Sequence, residues 1–321
     1  MTWVAWRQHR TVLLGALAFI VLVAGWLIWL RLRIDAGAEA LGLTECTRQD
    51  PYSCPGGLQE QLSAYSRVGD LTIWTMTGLL IAPVLVGVLA GATVFARDYE
   101  QRTHVFSLTQ TISRTRWWAT KTAVLGIPLT LAMVGLGMLV TWARSPVRMV
   151  LVSKLVTPMF QSEGVVLGGY FLLAFALATA LGLFLRSTIA TIVVSFIVYA
   201  AVFGALAVFR ADLLPADQLT AVAGDQEGLS ALEAQMPEDA WVLAHDYYDA
   251  NGDQVTLNIL ACDEGQFISA CYLEQGAIQE RMTVHPPSHF WPLQLLESGV
   301  LAVLAAAALA GSLVSLRRRG L

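Results

Sequence analysis

The sequence predicts an all-α polytopic membrane protein. It should have six transmembrane helices, both termini on the cytoplasmic side, and an extracellular α/β subdomain before the last helix. Three observations carry this reading. First, 56% of the 321 residues are hydrophobic and only 14% are charged, with a mean hydropathy of +0.59; a soluble domain has about 25% charged residues. Second, six apolar blocks are each long enough to cross roughly 30 Å of hydrocarbon, which takes about 20 helical residues. Third, Lys and Arg gather on one side of those blocks. The net charge of −4 offers nothing to a nucleic acid. No GxxxxGK[ST] phosphate loop occurs, so the chain is not by itself a P-loop ATPase.

The blocks are Thr11–Leu30, Leu71–Ala96, Thr122–Ala143, Gly164–Leu185, Ser187–Phe209 and Trp291–Leu316. Helix is required because backbone polar groups in lipid must be satisfied within each segment. The first block is followed by Arg31 and Arg33 and lacks a clear small-residue cleavage site, which favours an uncleaved span over a signal peptide. Residues 1–10, 97–121, 186 and 317–321 hold eleven basic residues against two acids, Asp98 and Glu100. The remaining nine basic residues are spread through the other connections among 21 acids. The positive-inside rule places the basic side in the cytoplasm.

The connections read as follows. Trp3, Val4 and Trp6 alternate with Arg7, His9 and Arg10, a pattern suited to an interfacial amphipathic helix, with a frayed end as the plainer alternative. Residues 31–70 contain Pro51, Pro55, Gly56 and Gly57 and read as an irregular outer loop. Arg97–Lys121 is the one long inner connection, with Ser113 as a candidate cap for the third helix and Trp117 and Trp118 at belt depth. A solvated, anchoring turn is its plain alternative. Residues 144–163 read as a shorter outer loop, with Met149–Val156 on the interface. Residues 210–290 carry 14 acids and two bases and are long enough for a subdomain. Asn251-Gly252 between Tyr247–Ala250 and Gln254–Leu260 predicts a β-hairpin with a type I′ turn. Asp249, Asn251 and Asp253 match only part of a calcium loop, which lacks its twelfth-position glutamate.

All four cysteines, Cys46, Cys54, Cys262 and Cys271, fall on the outer side, which suggests disulfides in an oxidising compartment. Three pairings are possible, and the local ones, Cys46–Cys54 and Cys262–Cys271, are favoured. CxxC spacing is missing, so no zinc site is expected. In the sixth block Gln294 and Glu297 share a face, with Glu297 roughly 9 Å beyond Trp291 at 1.5 Å per residue. An acid at that depth is either part of a polar path or a carboxylate still at headgroup level. The histidines, His9, His104, His245, His285 and His289, are scattered, and neither GxSxG nor HExxH occurs. No catalytic or metal-binding residue is therefore expected.

Four strings in order carry a resemblance: WVAWRQHR, ARDYEQRTHVFSLTQTISRTRWWATK, GYFLLAFALATALGLFLRSTIATI and HPPSHFWPLQLLESG. Together they resemble actinobacterial type-2 ABC transporter permeases, over nearly the whole chain. The resemblance implies the type-2 ABC exporter permease fold and a non-catalytic permease subunit of an ATP-driven exporter in the cytoplasmic (plasma) membrane. It implies two ABC ATPase subunits and a second permease subunit, identical or not, as partners. This chain would hold no cofactor, with ATP and Mg²⁺ on the ATPase. Arg97–Lys121 then maps onto the coupling loop that docks on the ATPase, with Arg97, Glu100 and Arg102 as coupling residues, and Thr2–Arg10 onto the interfacial helix. Gln294 and Glu297 are the candidates for the translocation path. The division expected is 1–209 with the coupling loop 97–121, 210–290 as subdomain, and 291–321 as last helix and basic tail. The outer segment is larger than the short re-entrant hairpins of many such permeases. A drug-like, lipid-like or peptide substrate is expected. A membrane sensor or regulatory subunit, whose outer subdomain binds a ligand, is the alternative; a membrane-embedded enzyme is disfavoured by the missing polar constellations.

Overall fold

Among the described residues, six long apolar helices make up most of the structure. The structure, a computed structural model, describes residues 2–40, 58–101, 113–145, 153–223, 235–237, 239–262 and 268–318. The helices are α1 (Thr2–Ala40), α2 (Leu58–Glu100), α3 (Arg114–Arg144), the short α4 (Met159–Ser162), α5 (Val166–Leu185), α6 (Thr188–Phe209), the short α7 (Ile268–Glu274) and α8 (Phe290–Arg318). Six of them are long and apolar enough to cross a membrane, and each contains one of the expected blocks to within two residues. The protein is a multi-pass membrane protein.

The helices outrun the blocks. Hydrocarbon thickness sets how long an apolar run must be, but helix continues as long as propensity allows. Thus α1 has 39 residues, roughly 58 Å at 1.5 Å per residue, with no break at Arg10. A separate interfacial helix over Thr2–Arg10 is not formed, because no glycine, proline or turn residue interrupts the register there. Likewise 31–40 and 58–70 are helical rather than loop; Arg31 pairs with Asp35 one turn on (2.7 Å), an i,i+4 contact that supports the extension. Cys46 and Cys54 lie outside the described residues.

The chain divides into two compact units. Unit 1 comprises 1–151, 157–208 and 294–321; unit 2 comprises 152–156 and 209–293. In unit 1, α2 packs most extensively on α5, followed by α1 on α3 and α3 on α5. The spans in α2 and α5 are largely buried, whereas those of α1, α6 and α8 expose most of their apolar surface. The α2–α5 approach rests on Gly87 and Gly91. A Cβ at Gly91 would stand 2.6 Å from the Phe175 carbonyl oxygen and 2.8 Å from Ala178 Cβ. This GxxxG spacing is a small-residue interface that lets membrane helices touch backbone to backbone. Gly91→Leu should cost about 1–3 kcal/mol by overpacking, read as a lowered melting temperature of the detergent-purified protein; an unchanged melting temperature would mean that this contact does not hold the bundle.

Ser113 caps α3 as expected: its hydroxyl accepts from the Arg116 N–H (3.4 Å) with extended backbone. Residues 144–163 depart from the expectation of an outer loop. Met159, Phe160, Gln161, Ser162 and Glu163 are all buried; Gln161 and Ser162 of α4 donate within their own segment, to the Thr157 hydroxyl (2.8 Å) and the Pro158 carbonyl (2.6 Å), and Glu163 pairs with Arg144 of α3.

Unit 2 holds a four-stranded antiparallel sheet in the order β1–β4–β2–β3, with β1 Asp217–Val222, β2 Trp241–Tyr248, β3 Gln254–Val255 and β4 Gln279–His285. Asp217 pairs with Val284, and Trp241 with His285. A disulfide joins Cys262 to Cys271 in α7, the local pairing favoured from sequence. The β2–β3 hairpin forms, but its loop is 249–253 rather than a two-residue turn. Asp249 organises it: one carboxylate oxygen accepts from the N–H of Asn251 (2.8 Å) and of Asp253 (2.9 Å), and Gly252 takes φ +86°. Those bonds, Asp253's foremost, hold the Asp249 carboxyl below its ordinary pKa and commit its oxygens to the turn, not to a cation.

Candidate functional site

Among the described residues of unit 1, buried charged and amide side chains gather at two junctions, one toward each end of the helices. The first lies at the basic end. Asp98, buried in the last turn of α2, accepts from Gln8 Nε2 of α1 (2.8 Å) and from Lys121 Nζ of α3. The Lys121 side chain is itself 5% exposed and its ammonium lies over the Trp117 ring. One carboxylate thus fastens three helices. Two residues on, Glu100 bonds the start of α6: one oxygen accepts from the Thr188 N–H and the other from the Thr188 hydroxyl, both at 2.7 Å. A carboxylate at a helix N-terminus satisfies unpaired N–H groups and meets the positive end of the dipole. Arg186, between α5 and α6, lies over the Tyr99 ring (5.4 Å). Arg97 is exposed in the last turn of α2. Arg102 lies outside the described residues. The helix that leads into the expected coupling loop, α2, is therefore joined through Asp98 to α1 and α3 and through Glu100 to α6.

The second junction lies at the other end. Gln294, fully buried near the start of α8, donates to the Phe160 carbonyl (2.9 Å) and accepts from the Val166 N–H (2.9 Å). Its amide closes the backbone groups left open where α4 passes into α5. Between them Gly164 has φ +64°, and a Cβ there would stand 2.6 Å from Gln294 Oε1, so only glycine fits. Gly164 also donates to the Gly137 carbonyl (3.0 Å) and Thr141 hydroxyl (3.1 Å) of α3. Arg144 and Glu163 form a buried ion pair at 2.6 Å. One turn along α8, Glu297 is fully buried and accepts from the Tyr170 hydroxyl of α5. Tyr170 packs on Tyr199 and Phe203 of α6, with ring centroids at 6.1 and 5.3 Å. The Tyr199 and Ser195 hydroxyls of α6 and the Ser298 hydroxyl of α8 are buried without a hydrogen-bond partner among the described residues. Glu297 is thus enclosed by protein, with unsatisfied hydroxyls on α6 and on α8 itself.

Sequence reasoning named Glu100, Gln294 and Glu297, and the structure brings the last two to one junction on one face of α8. It missed Asp98, Lys121, Tyr170, Arg144 and Glu163. The missed partners are 23 residues apart for Asp98–Lys121 and 127 for Tyr170–Glu297, so only packing reveals them. The readable signal was Asp98 itself, an acid against a span end in a basic segment. Among the described residues no group of three His, Cys, Asp or Glu side chains could hold a metal.

The chain matches a family model described as ABC-2 membrane transporter related over residues 17–210, the stretch from α1 to the end of α6. No curated protein and no solved structure matches it.

Proposed function

The chain belongs to the ABC-2 membrane transporter related family, and we propose that it is the permease subunit of an ATP-driven exporter. The family makes it a transporter permease subunit; its partner, direction and substrate are our reading. A separate ATPase subunit, in two copies, would bind ATP and Mg²⁺, and a second permease subunit would complete the complex in the cytoplasmic membrane. The coupling segment 97–121, which begins in the last turn of α2 and ends in the first turns of α3, and both termini would face the ATPase, with 31–70, 144–163 and 210–290 on the other side. The exported substrate would be drug-like, lipid-like or peptide.

The observation that supports this best is the pair of carboxylates at the end of α2. A push on the loop that follows α2 reaches α1 and α3 through Asp98 and α6 through Glu100 without passing through flexible chain. Coupling of this kind needs rigid elements joined by specific contacts. Copurification tests the partner: the tagged chain should bring down an ATPase subunit whose turnover depends on it. Glu100→Ala removes the link to α6 and should lower ATP turnover of the purified complex two- to fivefold, about 0.5–1 kcal/mol. Turnover and complex formation both at wild-type levels would remove Glu100 from the coupling element.

At the other junction, Glu297 would line the path and Gln294 would shape its wall. Unpaired hydroxyls beside a buried carboxylate are costly in lipid, and a polar substrate group or water passing between α5, α6 and α8 would satisfy them.

A further inference from the structure

On the basic half of unit 1, α3, α5 and α8 leave a lateral cavity of about 460 Å³. Its walls include Trp118, Thr122, Gly126 and Thr130 of α3, Phe175 of α5 and Leu309 of α8. Ile127 and Leu131 at its rim are 60% and 66% exposed, so the cavity opens sideways, where a membrane protein meets lipid. We propose that this groove binds one anionic phospholipid, held as a structural lipid with its headgroup at the basic end.

Three features along α3 set the depth of each part of the ligand. Residues 114, 118, 122, 126 and 130 follow one another every fourth position and share a face, about 6 Å apart along the axis. Arg114 lies on α3 one turn before Trp118, beyond the lined part of the groove, and Arg317 of α8 donates to the neighbouring Thr115 hydroxyl (3.3 Å). Two arginines one turn beyond the end of an apolar cleft between membrane helices suit a phosphate-bearing headgroup. One turn in, Trp118 donates its indole N–H to the Ser312 hydroxyl (3.1 Å) and closes the groove against α8 at interface depth. One turn deeper, the Thr122 hydroxyl is buried with no hydrogen-bond partner. Thr122 is on the groove wall, and a turn about χ1 would bring its covered hydroxyl to a lipid's ester carbonyl. Below that the walls are apolar; the Thr130 hydroxyl is already bonded back to the Gly126 carbonyl (2.7 Å). Arginines one turn beyond the groove, an unspent donor on its wall and an apolar floor together favour an anionic diacyl lipid over a detergent-like or neutral one. The volume falls within the roughly 300–1,000 Å³ of ordinary ligand sites.

Native mass spectrometry of the purified full-length protein, after exchange with phosphatidylglycerol or phosphatidylcholine, tests this. Wild type should retain one phosphatidylglycerol per chain and lose phosphatidylcholine. The pair Arg114→Gln/Arg317→Gln should lower retention on the order of tenfold, since each basic group near a headgroup contributes about 1 kcal/mol. Arg116→Gln/Arg318→Gln removes the same charge from residues outside the groove and should change retention less than twofold. Thr122→Val should weaken it about threefold, and Ala123→Trp, which fills the groove, should abolish it. Equal retention of phosphatidylcholine, or equal loss in the two arginine pairs, would overturn the proposal. So would an Ala123→Trp variant that keeps its phosphatidylglycerol but turns from dimer to monomer, because the groove would then be covered by a second copy. None of these outcomes depends on what the permease exports.

Discussion

Asp98→Ala should destabilise the protein by about 3–5 kcal/mol, the cost of stranding a buried charge when its partner is removed. The carboxylate is the acceptor for both the Lys121 ammonium and the Gln8 amide. With Asp98 and Lys121 side chains only 4% and 5% exposed, water cannot take its place without opening the contact between α1, α2 and α3. The expected readout is a sharp fall in melting temperature and in the monodisperse fraction of detergent-purified protein. Asp98→Ala/Lys121→Met removes both charges and should recover most of that loss, because a buried ion pair replaced by apolar groups is often close to neutral. The two changes would then be strongly non-additive. If the double variant is stable yet its complex hydrolyses ATP no faster when assembled, the pair serves coupling more than folding. Asp98→Ala within about 1 kcal/mol of wild type would mean that the junction is solvated and does not fasten the three helices.

The contrast between Asp98 and Glu100 shows what the sequence could and could not yield. Both acids stand in the same basic stretch; the resemblance singled out Glu100 as a coupling residue, and Asp98 was only counted among the acids of that side. Burial reverses their weights: Asp98 is enclosed by α1 and α3, whereas Glu100 is exposed. That difference depends on which helices pack together, and local sequence carries no record of it. The six spans, by contrast, follow from one solvent constraint acting on composition, so each block could be read on its own. The hairpin in unit 2 was legible from Asn251-Gly252, but the Asp249 turn stretched its loop to 249–253 because side-chain bonds to backbone N–H groups compete with the tight turn. The fold of 158–166 was not legible at all. It is too short to show a period, and its stability is borrowed from Gln294 and Thr141, far away in the chain. The GxxxG pair at Gly87 and Gly91 was readable and was passed over, since small residues in an apolar run do not stand out by hydropathy.

Glu297→Gln should cut transport at least tenfold while leaving the fold intact, and Gln294→Ala should do the reverse. The two residues stand three apart on α8, yet their bonds differ in kind. Gln294 spends both ends of its amide on backbone groups, the Phe160 carbonyl and the Val166 N–H. Removing it leaves two buried polar groups unpaired at about 1–3 kcal/mol each, so a loss of roughly 2–6 kcal/mol of stability is expected. Glu297 meets a side chain, the Tyr170 hydroxyl, and glutamine keeps a carbonyl oxygen to accept that bond. What glutamine removes is the capacity for negative charge beside the unpaired hydroxyls of Tyr199, Ser195 and Ser298. Transport, read as efflux of a lipophilic dye from proteoliposomes and as ATP turnover of the complex, should therefore fall with little change in melting temperature. Tyr170→Phe deletes the donor but leaves the carboxylate, so it should lower transport less than Glu297→Gln does. Full transport by Glu297→Gln would assign the carboxylate to helix packing and remove it from the path. A melting temperature lowered as far as in Gln294→Ala would show that the charge itself, not the hydrogen bond, holds α5 to α8.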